Sequence, residues 1–326
     1  MNEAGFSRRT AAHWGSGESA APAEIDVLIP TKDRPAALAV TLAGLAAQDD
    51  PAFRVVISDQ SQTPAIWEPA VAGMLRVLRV QGRATRVLRH LPPRGMAEQR
   101  QFLLDAADAP RVLFLDDDVW LEPGTLARLD AALSRIGGGF VGSAVQGLSY
   151  LTDRRQQELE SFRPWHGPVE PETITRDGAA FARHELHNAA NLVHLADRLA
   201  LPEGCWVAYK IAWVGGCVLF RRSALLAAGG FGFWTELPRE HVGEDVLAQW
   251  QVMRRDGGAG IVPSGAVHLE APTTLTERTV EASEALGWPF AADRRWKKGK
   301  QDDERHTEPH RGAEVPGRDR LSRLEG

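Results

Sequence analysis

The sequence predicts an α/β fold, a mostly parallel sheet with helices packed on its faces. Three short apolar runs, IDVLI (residues 25–29), FRVVIS (53–58) and VLFL (112–115), have the length and β-branched content of buried strands. Segments with apolar residues at helical spacing lie between them. Strands separated by helices cannot pair through a tight hairpin, so they run parallel, with the crossovers covering the sheet.

Residues 25–29 open the sheet. PAALAVTLAGLAAQ (35–48) follows as a helix, with Pro35 in its first turn, where a missing N–H costs nothing. Residues 53–58 form the next strand, MAEQRQFLLDAA (96–107) the next clear helix, and residues 112–115 another strand. Residues 1–23 are rich in Ala, Gly, Ser and charge without periodicity, and residues 297–326 carry dense charge of both signs with few apolar groups. Both ends are expected to be disordered tails. Between them there is no internal repeat and no long linker, so one folded domain is expected over residues 24–290.

The 38 basic and 43 acidic side chains are mixed along the chain and leave a net charge of −5, so no basic face offers itself to a nucleic acid. Hydrophobic residues make up 43%, enough for a sizeable core. Cys205 and Cys217 match no zinc or redox spacing, which favours a reduced, cytoplasmic protein. The N-terminus lacks the apolar core of a signal peptide, and no stretch approaches the ~18 apolar residues of a transmembrane segment.

In sheets of this kind ligands bind beyond the carboxyl ends of the strands. Those ends carry Pro30, Thr31, Lys32, Asp33 and Arg34, then Asp59, Gln60 and Ser61, then Asp116, Asp117 and Asp118. Three adjacent carboxylates repel and raise one another's pKa unless a cation or solvent neutralises them. A magnesium or manganese ion that keeps positions open for phosphate oxygens is the natural neutraliser. The alternative is an ordinary Asp-led turn completed by Glu122, Pro123 and Gly124.

Several ordered motifs together resemble the family 2 nucleotide-sugar glycosyltransferases of the GT-A fold, over about residues 25–270. IDVLIPTKDRPAALAVTLAGLAAQ is similar to the family's opening strand, nucleotide loop and first helix, and VVISDQS to its second strand, with Ser58-Asp59 where two acidic residues are usual. RGMAEQRQFLLDAA resembles the segment that commonly carries Arg-Asn, here Arg100 and Gln101. FLDDDVWLEPG takes the place of the DxD strand end, with Asp116 and Asp118 as the outer carboxylates. WVGGCVLFRRSALLAAGGF resembles the acceptor-side segment, and HVGEDVLAQWQVMRRDGG the one whose acidic pair opens a helix, here Glu244 and Asp245.

The resemblance implies a GT-A type Rossmann-like sheet in a single catalytic domain, with residues 24–124 as the nucleotide-sugar-binding half and 125–290 as the acceptor-side half. It implies a metal-dependent transfer of sugar from a nucleotide diphosphate sugar, with inversion, to an acceptor that is a saccharide, a lipid-linked molecule or a natural product. Pro30, Thr31, Asp33, Arg34 and Asp59 would hold base and ribose, since a carboxylate accepts from a base N–H or a ribose hydroxyl. Arg94 and Arg100 would approach the diphosphate by two-pronged donation. Asp116 and Asp118 would hold Mn2+ or Mg2+, with Asp117 beside the donor and His268 completing the metal shell.

Asp245 would serve as general base to the acceptor hydroxyl. Its neighbour Glu244 would lift the pair's pKa or turn away to hold a basic residue. Both could instead only favour the positive end of the helix that follows Gly243. Trp213, Trp234 and Trp250 lie in the acceptor region, residues 229–235 read as a glycine-rich closing loop, and the His and Trp residues of 145–210 could line an acceptor pocket.

Two other enzyme classes and one binding class compete. Haloacid-dehalogenase-like phosphatases also place D-x-D-x-[TV] after an apolar strand, and residues 116–119 fit, but about 90 residues of strand-helix units precede the motif here and the later paired Asp is missing. Sugar-1-phosphate nucleotidyltransferases need a Gly-rich opening that IPTKDRP lacks. A non-catalytic nucleotide-sugar-binding protein would be expected to lose carboxylates that are present here, Asp118, Glu244 and Asp245.

Overall fold

The apolar runs become strands whose side chains alternate between two cores. In a computed structural model of the chain, which describes residue 11 and residues 22–202, 204–273 and 280–289, Ile25, Val27 and Ile29 face one core while Leu28 faces the other. Val55 and Ile57 against Val56, and Leu113 and Leu115 against Val112 and Phe114, repeat the pattern. Strands buried on both faces belong to a sheet covered on both sides. Apart from Ala11, Pro22 and Ala23, the expected tails lie outside the described residues.

The strands are β1 (Ile25–Thr31), β2 (Phe53–Asp59), β3 (Thr85–Arg89), β4 (Arg111–Leu115), β5 (Val119–Leu121), β6 (Phe140–Gly142), β7 (Gln146–Gly147), β8 (Val207–Tyr209), β9 (Cys217–Arg221), β10 (His241–Val242), β11 (Gly258–Val262), β12 (Ala266–His268) and β13 (Val280–Glu281). The main sheet runs β3-β2-β1-β4-β9-β6-β11-β8. Its pairs from β3 to β4 and between β6 and β11 are parallel, whereas β9 and β8 run antiparallel to their neighbours. Because β9 is reversed, its beginning lies at the same edge as the carboxyl ends of β1, β2 and β4, with Cys217 opposite Leu115. A second sheet, β5-β12-β7, stands beyond that edge.

The helices are α1 (Pro35–Ala46), α2 (Pro69–Val80), α3 (Met96–Asp105), α4 (Thr125–Ile136), α5 (Leu192–Leu199), α6 (Arg222–Ala227), α7 (Glu244–Asp256) and α8 (Ala282–Ala285). Buried residues of α1, α2 and α4 share one core with Ile25, Val27 and Leu113, and those of α3, α5, α6 and α7 share the other with Leu28 and Phe114. The GT-A type expectation of a mostly parallel sheet flanked by helices is met. Sequence reading passed over α2 and β3: α2 presents a narrow apolar face of Val71, Leu75 and Leu78, and edge strand β3 has no fully buried residue. No described helix is long and apolar enough to cross a membrane.

One buried ion pair ties the opposite edge together. Asp26, fully buried in β1, accepts two hydrogen bonds from Arg54 at 2.8 and 2.7 Å and two more from the amides of Asp108 and Ala109 at 2.8 and 2.9 Å. Removing one partner of such a pair strands the rest without water. Asp26→Ala is therefore expected to lower unfolding free energy by about 3 kcal/mol, read as a shift of the urea midpoint at unchanged slope.

Candidate functional site

The site is built where β1 and β4 end and β9 and α7 begin. After β4 the chain turns through Asp116, Asp117 and Asp118, and three separate elements hold that turn. The amide of Asp116 donates to the Gly216 carbonyl at 2.9 Å. Thr31 at the end of β1 donates its hydroxyl to Asp117 at 2.7 Å, and Thr41 of α1 donates to the Asp117 carbonyl at 2.8 Å. Arg34 pairs with Asp117 and, at 2.9 Å, with Asp118.

The repulsion expected among the three carboxylates is thus relieved by a resident guanidinium. Burial raises the Asp117 carboxyl above its usual range against the pull of Arg34 and Thr31. Burial also works to raise Asp118, but the His268 hydrogen bond and the charge of Arg34 outweigh it and the net shift is downward. Arg34 is held charged in turn: burial opposes it, and its hydrogen bond and charge contact with Asp117 overcome that.

His268 arrives through the second sheet. Antiparallel pairing of β12 with β5 sets His268 opposite Val119, and its Nε2 lies 3.3 Å from Asp118. The Glu270 amide donates to Nδ1 at 3.0 Å, which leaves Nε2 to carry the proton toward Asp118. That hydrogen bond raises the His268 pKa. A carboxylate and an imidazole, with Asp116 two residues away, form a donor set suited to magnesium or manganese. Among the described residues, however, no three His, Cys, Asp or Glu side chains are gathered closely enough to hold an ion, and the cation beside Asp118 is Arg34.

Arg100 joins this turn to the second half of the chain. Buried on α3, it donates through Nε to Glu244 at 3.0 Å and through Nη2 to Asp116 at 3.1 Å, with its guanidinium 5.7 Å from the Phe114 ring centre. Burial alone would discharge it, but the charges of Asp116, Glu244 and Asp245 push its pKa well up. Arg100, expected near a diphosphate, is paired here with two carboxylates. Glu244 does hold a basic neighbour, one of the two roles read for it.

Asp245, the next residue of α7, makes no direct ion pair with a described residue and shares a small crevice with Arg100, Gly216, Phe231 and Gln249. Burial and then the charge of Glu244 push its carboxyl up to about 7. Gly216 closes this crevice at φ +79°, and a side chain there would strike Val145 at 2.9 Å, so glycine is required on both counts.

Other expected residues are engaged with their own neighbours or exposed. Asp59 is fully buried, with its oxygens accepting from the Ser61 and Ala65 amides at 2.8 Å each and paired with Arg89 at 3.1 Å, so it caps its own loop and exposes nothing to a base or ribose. Pro30 is buried inside β1, past the last rung to β4 at Leu28–Phe114, where a missing N–H breaks no bond to that strand. Asp33 is exposed and accepts from the Gln62 amide at 2.7 Å, and Arg94 is exposed in the loop before α3. The 229–235 segment is no free flap: Phe231 and Phe233 are buried, and Gln101 accepts from the Phe231 amide at 2.8 Å. Trp250 is core, donating to the Ala212 carbonyl at 2.8 Å.

Sequence reading missed His241 and Gln249. His241 Nδ1 donates to the Pro238 carbonyl at 2.7 Å, leaving Nε2 to accept from the Ala97 amide at 3.1 Å in the first turn of α3, the helix that carries Arg100. Its place in HVGED was the available signal. Gly95 must stay bare there, at φ +108°, because a side chain would meet His241 at 2.7 Å. Gln249 clamps Val214 from both sides, accepting from its amide and donating to its carbonyl at 2.8 Å each.

Residues 26–187 match the model of the family described as glycosyl transferase family 2. Across those residues the chain is a member of glycosyl transferase family 2. The family match includes the Asp116 turn and Arg100 but ends before Glu244, Asp245 and His268. S. aureus TarS 1-349 in complex with UDP-GlcNAc shares the fold, at TM-score 0.51 and 15% identity, with 77% of this chain and 60% of that one covered. A mannosyltransferase from Pyrobaculum calidifontis, in complex with GDP-Man and Mn2+, aligns at TM-score 0.49 and 17% identity over 81% of this chain and 64% of its own. The family 2 chain thus spans less than two thirds of the length of either structure. No curated protein matches it.

The Arg100 bridge yields a direct test. In Arg100→Met, Glu244 and Asp116 lose their shared cation, and Glu244 must either stay charged and buried or take a proton. Unfolding free energy is expected to fall by about 3 kcal/mol, with a larger loss at about pH 8 than at about pH 5, because only the charged carboxylates suffer. An equal loss at both pH values would show that the packing of Arg100 matters and its charge does not.

Proposed function

We propose that this chain transfers a sugar from a nucleotide diphosphate sugar to an acceptor hydroxyl or amine, with inversion and with Asp245 as general base. One observation carries the reading: inside a family 2 fold, a carboxylate held near neutrality opens onto the crevice formed by Arg100 and Gly216, beside the three-Asp turn. A base poised near the working pH is what removal of a hydroxyl proton requires.

In this reading Arg34 and Thr31, already on the three-Asp turn, set its shape for the donor's diphosphate and ribose. Asp118 and His268, with Asp116, are the residues that would hold a divalent cation. The chemistry such an ion supplies when bound is neutralisation of the departing diphosphate. Glu244 keeps Arg100 in place and, by its charge, keeps Asp245 basic enough to accept the proton. Asp245 takes that proton as the acceptor oxygen forms its bond to the anomeric carbon and the bond to the diphosphate breaks, the electron pair leaving with the diphosphate.

Titration calorimetry with a panel of nucleotide diphosphate sugars, with and without manganese, tests the donor half, with Mn2+ binding also followed by electron paramagnetic resonance. Tight donor binding is expected only with metal, and Asp118→Ala or His268→Ala is expected to weaken Mn2+ by about 10- to 100-fold. Absence of binding by every nucleotide sugar in either condition would refute the donor assignment.

Asp245→Asn is expected to cut transfer by about 10³-fold while donor binding is retained. In the unaltered protein, kcat/KM should rise with pH and level off above a midpoint of about 7, since the carboxylate must be deprotonated to act. A flat profile over that range, or a fully active Asn variant, would remove Asp245 from the role.

A further inference from the structure

Behind the Gly215-Gly216 turn lies a cavity of about 460 Å³ that the donor chemistry does not use. Its volume is within the ~300–1,000 Å³ range of small-molecule pockets. Glu158, His184, Glu185, His187, Asn188 and Trp213 line it, all but Trp213 from the segment that precedes α5. Gly215 completes the wall on the side of the candidate site.

That wall is common to both spaces. Trp213 and Gly215 face the cavity, Val214 is clamped by Gln249 of α7, and the Gly216 carbonyl accepts from the Asp116 amide while its other neighbours are Arg100 and Asp245 in the crevice. A molecule seated in the cavity is therefore one short turn of chain away from the proposed base and the three-Asp turn.

The lining selects by charge and by hydrogen bonding. Two carboxylates enter it and no Lys or Arg does. The nearest cation at Glu158, Arg155 at 3.6 Å, is also paired with Asp153 at 2.7 Å. His187 adds no charge: burial pulls its pKa down to about 4, and its Nε2 lies 3.1 Å from the Tyr209 hydroxyl, which burial keeps protonated. His184 stacks on Trp213, with ring centres 5.5 Å apart and planes 12° apart, and its Nδ1 donates to the Phe181 carbonyl at 2.9 Å, leaving Nε2 as an acceptor. Carboxylates, an amide and imidazole acceptors set around an aromatic pair match a ring bearing many hydroxyls, each of which can donate and accept. A phosphate or carboxylate in the same place would meet the like charge of Glu185 and that of Glu158, which Arg155 at 3.6 Å and the Asn191 amide at 2.7 Å offset only in part.

We propose that this cavity is the acceptor site, and that it takes an uncharged sugar ring and rejects its phosphorylated counterpart. The proposal rests on the sugar-transfer reading above and adds the class of acceptor to it.

The test uses the full chain and calorimetric titration with methyl hexopyranosides and with the 6-phosphates of the same hexoses. The parent sugars are expected to bind, with the phosphates at least about tenfold weaker. In Glu185→Gln, at an exposed side chain, and in Glu158→Gln/Glu185→Gln, that ratio should shrink stepwise toward one, while nucleotide-sugar binding and thermal midpoint stay unchanged. The proposal is overturned if a hexose phosphate binds as tightly as its parent, if neither variant moves the ratio, or if donor binds and no parent sugar does. Donor binding is read in the same protein as a separate arm. Its absence overturns the sugar-transfer reading, and with it the acceptor role of the cavity.

Discussion

The arrangement depends on one buried cation. Arg100 sits on α3, packed behind Phe114, and touches Asp116 from the first half of the chain and Glu244 from the second. A lone guanidinium in that position would be expelled by its own desolvation, and either carboxylate alone there would take up a proton. Together they are stable, and the geometry of the triplet fixes how far α7 stands from the end of β4. His241, Gly95 and Gln101 then read as supports of the same helix: one caps it, one lets the cap approach, and one ties it to the 230–231 turn.

The same principle, opposite charges meeting where strands end, explains the three-Asp turn. Asp117 is the structural member, tied to Thr31, Thr41 and Arg34, whereas Asp116 and Asp118 reach partners from other elements. Arg34 serves Asp117 and Asp118 at once.

Much of the first half was legible because its strands are buried on both faces and read as continuous apolar runs, and because polar residues cluster where those runs stop. α2 and β3 were not, since an edge strand such as TRVLR buries too little to produce a pattern. The insertion of reversed strand β9 between β4 and β6 was beyond periodicity altogether, as sheet order is decided by long-range pairing. Within the site, the placement of Asp116, Asp118 and His268 at strand ends and of Glu244 and Asp245 at a helix start was visible from sequence position. What Asp59 and Arg100 do was not, because a charged side chain at a strand end or on a helix looks the same in sequence whether it meets a ligand or a buried partner.

The 213–216 segment has a consequence for how the two sides of the site communicate. Its residues alternate between cavity, Gln249 and the Asp116 amide, so it is held from three directions and has little freedom to move alone. Next to Trp213, Val214 is bonded on both its amide and its carbonyl to a side chain of α7, one helical turn after Asp245. The Trp213 side of the cavity and the α7 turn beside Asp245 are joined through two hydrogen bonds to one glutamine. The wall between the two spaces is thus also what joins them.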